Sequence, residues 1–88
     1  MIPTKIAIAT WPSDEARMLP AIVGVRTPYI QTAVANGLTD GVANNVSNTV
    51  TTRTWLNQTA AEDWVAFITS VATNNGTTVS VVIEDLPV

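Results

Sequence analysis

Residues 53–68 read RTWLNQTAAEDWVAFI, and inside this stretch the spacing of apolar side chains changes. Upstream, Asn48 to Leu56 (NTVTTRTWL) is rich in β-branched residues that alternate with a period of two, as a strand does. Downstream, Ala61, Trp64, Val65, Ile68, Val71 and Ala72 recur at three- and four-residue steps, one stripe of a helix. Asn57-Gln58 forms the link. Thr59 then opens T-A-A-E, which predicts a capping box: the Thr59 hydroxyl takes one free backbone N–H and Glu62 reaches back to another. Asn74-Asn75-Gly76 tolerates the left-handed backbone that ends helices. Thr77 to Glu84 (TTVSVVIE) returns to alternation as a last strand.

The first half reads similarly, with interruptions. Lys5 to Trp11 (KIAIATW) alternates as a strand, and Pro12 stops it because proline cannot donate to a ladder. Ser13, followed by Asp14 and Glu15, predicts a helix start, with the hydroxyl as cap and the acids at the positive end of the dipole. Ala16, Leu19 and Val23 share a face, and Pro20 predicts a stop or kink near Leu19. Thr27-Pro28 has the form of an N-cap with proline in the first helical position, and Asn36-Gly37 that of a helix end. Pro28 to Asn36 is therefore expected as a second short helical piece, although Ile30, Thr32 and Val34 would also suit a strand. Asp40-Gly41 marks a turn. Val42 to Val46 holds Asn44-Asn45 and makes a poor strand.

The order is strand, broken helix, weak strand, strong strand, helix, strand. Two β-α-β halves of similar size predict a single α+β domain over residues 1–88, the ferredoxin-like plait, an antiparallel sheet with helices on one face. Alternation then sorts the strands. Ile6, Ile8, Val50, Leu56, Val79, Val81 and Ile83 suit the helix-covered face, with Thr52 and Thr54 among them. Lys5, Ala7, Ala9, Trp11, Thr49, Thr51, Arg53, Trp55, Ser80, Val82 and Glu84 fall on the other, open face.

Composition bears on that open face. The chain has 88 residues, of which only 12% are charged, about half the ordinary share. A face with two tryptophans and few charges is expected to seek cover, because monomers rarely expose large apolar patches. A homodimer follows, with Ala7, Ala9, Trp11, Thr51, Trp55 and Val82 as its contact; the other reading has Trp11 and Trp55 at strand ends, shielded by loops. The net charge of −3 and four cations (Lys5, Arg17, Arg26, Arg53), scattered along the chain, argue against nucleic acid. No apolar run approaches a membrane span, and the start, MIPTKIAIATW, does not read as a secretory signal. Asn-x-Ser/Thr triplets at Asn45, Asn57 and Asn75 are chance matches in an Asn- and Thr-rich chain on that reading.

With arginine and tryptophan leaving a strand into a capped A-x-x-W helix, followed by SVVIED, TRTWLNQTAAEDWVAFI resembles small ferredoxin-like proteins of unknown function from phage and environmental sequences. The likeness covers roughly the C-terminal half; Pro20 and the asparagines at 44, 45 and 48 depart from that pattern. It implies a plait that pairs into a dimeric α/β barrel, in a cytoplasmic or virion-associated setting, and carries no activity with it.

For chemistry the residues mostly exclude. No histidine and no cysteine occur, which removes the usual base at neutral pH, the thiol nucleophile and the common zinc and haem ligands. No Gly-rich phosphate cradle is present. Asp14-Glu15 and Glu62-Asp63 are expected at helix starts on stability grounds. Glu84 and Asp85 are neighbours on a strand, so they point to opposite faces and do not share a cation. No catalytic residue, metal or cofactor is assigned. What remains is Trp11, Arg53 and Trp55, where arginine beside indoles would hold an anionic aromatic ligand; alternatively Arg53 pairs with Glu84 and the indoles pack at the dimer contact. The expected function is a self-associating structural or interaction domain. The alternative is a small-molecule binding protein or cofactor-independent oxygenase.

Overall fold

The computed structural model describes residues 2–86. Its elements are β1 (Lys5–Thr10), α1 (Asp14–Arg17), α2 (Pro20–Ala35), β2 (Asn44–Asn45), β3 (Val50–Trp55), α3 (Gln58–Asn74) and β4 (Ser80–Asp85). The four strands form one antiparallel sheet in the order β2-β3-β1-β4, so the two strands that begin each half sit at its centre. This is the ferredoxin-like plait. No helix of the described residues is long and apolar enough to cross a membrane.

Local chemistry accounts for most boundaries. Ser13 caps α1, its Oγ accepting from the Ala16 N–H at 3.0 Å. α1 lasts a single turn. Leu19 takes the extended ψ of 129° that a following proline favours, and Pro20 starts α2 at a position where its missing N–H costs nothing. α2 then runs without a break through Pro28, so Thr27-Pro28 is no helix start. Proline inside a helix costs about 3 kcal/mol, yet one continuous rod buries Ile22, Ile30 and Ala33 together. Burial of three such side chains outweighs that cost.

α3 begins two residues before the expected capping box. Asn57, with extended backbone, is the cap, and its Oδ1 accepts from the Ala60 N–H at 2.9 Å. Thr59 and Glu62 lie inside the first turns. The helix ends at Asn74, followed by Asn75 and by Gly76 at φ +74°. Ala60, Ala61, Trp64, Ile68 and Ala72 form its buried stripe. Val42–Val46 contributes the short Asn44–Asn45 pairing with β3 and a Val46 N–H donated to the Val50 carbonyl, and the Val42 and Val46 side chains are exposed.

The two sheet faces are exchanged on β1 and β3 relative to expectation. Ala7 lies across from Arg53 and Ile83, Ala9 from Thr51 and Val81, and Lys5 from Trp55 and Asp85. It is this set that faces the helices: Ala7, Ala9, Trp11 and Trp55 are 1–5% exposed, and Ala7, Trp11 and Trp55 pack with Trp64, Ile22 and Ile68. Val79, Val81 and Ile83 share that core, as the alternation on β4 predicts. Ile6, Ile8, Val50, Thr52, Thr54, Val82 and Glu84 lie on the uncovered side. Size decides the exchange. An indole buries 150–250 Å², more than an isoleucine can. Ala7 and Ala9 add the low floor on which the Trp64-bearing helix can sit close. Trp11 and Trp55 do lie on one side of one sheet, but the chain's own helices cover it. A contact between copies made by Ala7, Ala9, Trp11, Thr51 and Trp55 is therefore not what this fold offers; Val82 points the other way.

Candidate functional site

Between the helix-facing side of the sheet and the first helical limb lies a cleft of about 210 Å³. Ala7, Ala9 and Trp11 supply its floor from β1 and the residue beyond it. Thr51 and Arg53 enter from β3, Arg17 and Met18 from the end of α1, Arg26 from α2 and Trp64 from α3. Three of the chain's four cations, far apart in sequence, thus meet around one small space.

The three arginines differ in how they are satisfied. Arg17 is occupied: Nη2 donates to Asp14 Oδ1 at 2.6 Å and Nε donates to the Asn48 carbonyl at 3.0 Å. Arg26 has one long bond, from Nη1 to the Arg17 carbonyl at 3.3 Å. Arg53 likewise donates from Nη1 to the Gly41 carbonyl at 3.4 Å, with its guanidinium carbon 5.6 Å from the Trp64 ring centroid. Among the described residues the ion pairs are Lys5–Asp85 and Arg17–Asp14, so neither Arg26 nor Arg53 has a carboxylate partner. Burial lowers the pKa of both, and positive neighbours add to it: Arg17 acts on Arg26, and Arg26 acts on Arg53, where Asp40 offsets part of the effect.

Gly41 helps to hold this arrangement. At φ +78° it takes a conformation that L residues resist, and a Cβ there would stand 2.7 Å from Val34 Cγ2. The turn it makes presents its carbonyl to Arg53. Thr39, 3% exposed, ties the same segment to the sheet by donating from Oγ1 to the Thr54 carbonyl at 2.8 Å. Arg26 and Arg53 also line a second recess with Thr27, Gln31 and Gly41.

Of the residues expected to bind a ligand, Trp11 and Arg53 line the cleft. Trp55 instead stacks on Trp64, with ring centroids 5.5 Å apart, and is buried in the core. Glu84 lies across from Ile6 on the uncovered face, so the expected Arg53–Glu84 pair is not formed. Arg26 and Trp64 were missed as site residues. Trp64 is indistinguishable in sequence from a core residue of its helix. Arg26 sits in a stretch with no apolar period, so nothing in the sequence orients it.

Comparison with protein-family models, with curated proteins and with solved structures finds no match to this chain.

Proposed function

We propose that this domain binds a small anionic molecule in the cleft between its sheet and its first helical limb. The observation that carries this reading is the pair Arg26 and Arg53: two half-buried guanidinium groups, each with a single long hydrogen bond to a carbonyl and no carboxylate partner among the described residues. Placing unpaired charge in a partly buried site costs free energy, and a ligand anion repays that cost through charge-assisted hydrogen bonds. The cleft wall contains no carboxylate, and the chain has no histidine or cysteine, which favours binding over turnover. Trp11 and Trp64 border the site, so intrinsic fluorescence reports on it. Titration with small organic anions should quench or shift that emission saturably, and Arg26→Gln should weaken the response. A linear, variant-independent response would remove the reading.

A second reading rests on the uncovered sheet face. Ile6, Ile8, Val50 and Val82, interleaved with Thr52 and Thr54, leave that side uncharged except for Glu84 near one end, and Val82 is 53% exposed. Interface centres are depleted of charge in the same way. The occupant we infer is a second copy of the chain, packed sheet to sheet. Val82→Lys should then shift the light-scattering mass downward without altering the circular dichroism. A monomer mass for the unmodified protein at micromolar concentration would exclude this assembly.

A further inference from the structure

We infer that the ligand of the cleft is a compact organic dianion, a doubly charged phosphomonoester or dicarboxylate head on an apolar body of about one ring. This deepens the anion-binding reading above and rests on it. The charge follows from the arginines. Arg17 is already neutralised by Asp14, whereas Arg26 and Arg53 are both left without a counter-ion within salt-bridge distance among the described residues. Each guanidinium presents five N–H donors and uses one of them on a carbonyl here. Their mutual repulsion adds to the effect of burial on Arg53, and Asp40 offsets only part of this from beyond salt-bridge distance, so a single negative charge would leave one of the two guanidinium groups without a direct partner.

The body follows from the walls. Ala7, Ala9, Trp11, Met18 and Ala43 give the cleft an apolar lining beside the guanidinium pair, which inorganic phosphate would leave in contact with nothing. The size follows from the volume: about 210 Å³ lies below the 300–1,000 Å³ of sites for drug-sized ligands.

Four probes separate these components by calorimetric titration of the intact protein at pH 8. Phenyl phosphate and phthalate carry both the ring and the double charge, benzoate has the ring with one charge, and inorganic phosphate has the charge with no ring. Phenyl phosphate or phthalate should bind roughly tenfold or more tighter than benzoate and inorganic phosphate, the difference one charge-assisted hydrogen bond makes. Whichever of the two ring dianions binds better identifies the head group. Arg26→Gln and Arg53→Gln should each remove that advantage while circular dichroism stays unchanged. Benzoate binding as tightly as the ring dianions would overturn the double charge, and phosphate doing so would overturn the apolar body; either result leaves anion binding standing. Failure of all four to bind would overturn both this inference and the reading beneath it.

Discussion

The guanidinium of Arg53 lies over the indole of Trp64, its central carbon 5.6 Å from the ring centroid. The partners come from β3 and α3, on either side of the strand-to-helix junction where the apolar period changes. A partly buried cation over indole contributes about 0.5–2 kcal/mol. A double-mutant cycle of Arg53→Met and Trp64→Phe, read by urea unfolding, should therefore give a coupling of about 0.5–1 kcal/mol. Indole is the better partner, so phenylalanine removes part of the interaction and leaves a ring in place. Additive effects would show that the two side chains are near one another without interacting.

Arg26 carries the opposite sign. Its charge is set back by burial and by Arg17, and its one hydrogen bond is long. Replacing it by glutamine keeps a donor and removes the charge. The expected result is a gain of about 0.5–1 kcal/mol, after discounting for the solvent that screens a half-exposed group. For a domain of this size that is a rise of a few degrees in the melting midpoint. A binding residue whose removal stabilises the fold is the usual mark of a site held against stability. A fall in the midpoint of comparable size would mean that Arg26 is satisfied where it stands.

Much of the architecture was legible from residue types alone. The Ser13 cap, the stop before Pro20, the asparagine–glycine ends at 36–37 and 75–76, and the strand-to-helix junction are local chemistry, decided within a few residues. The facing of β1 and β3 was not. Apart from Lys5 and Arg53 both strands are apolar or uncharged on both sides, and alternation tells which residues share a face without telling which face is inward. Ile6 and Ile8 are more hydrophobic than Ala7 and Ala9, yet the indoles of Trp11 and Trp55 have the larger area to bury. The site inherits this difficulty. Arg53 was visible as a candidate, but Arg26 meets it from the part of α2 that precedes Pro28, where the sequence reads as a helix start with no helix before it.

Trp55 gives a test inside the core. It is 1% exposed, and its Nε1 has no hydrogen-bond partner among the described residues. An orphaned buried donor costs about 1–3 kcal/mol. Trp55→Phe removes that donor and leaves a cavity of a few tens of Å³, worth about 1 kcal/mol in the other direction. The two should nearly cancel, so the Phe variant is expected within about 1 kcal/mol of the parent. Trp55→Ala, which removes the packing as well, should cost about 3–5 kcal/mol. A Phe variant as damaged as the Ala variant would show that the indole N–H is used.

Tyr29, the chain's one tyrosine, stacks on Phe67 with ring centroids 4.1 Å apart. Burial, and secondarily the negative charge of Asp63, raise the pKa of its hydroxyl above the ordinary 10.0. The unfolded chain loses this proton near the ordinary value and the folded chain holds it longer. Between the two values the folded state binds more protons, so stability falls as the pH climbs past about 10 and levels off once the folded group has also ionised. Absorbance at 295 nm should place the folded midpoint above that of the urea-unfolded chain. Asp63→Asn should restore only the smaller part of the difference, since burial is the larger cause. Coincident folded and unfolded midpoints would show that the Tyr29 hydroxyl is as well solvated in the fold as in the open chain.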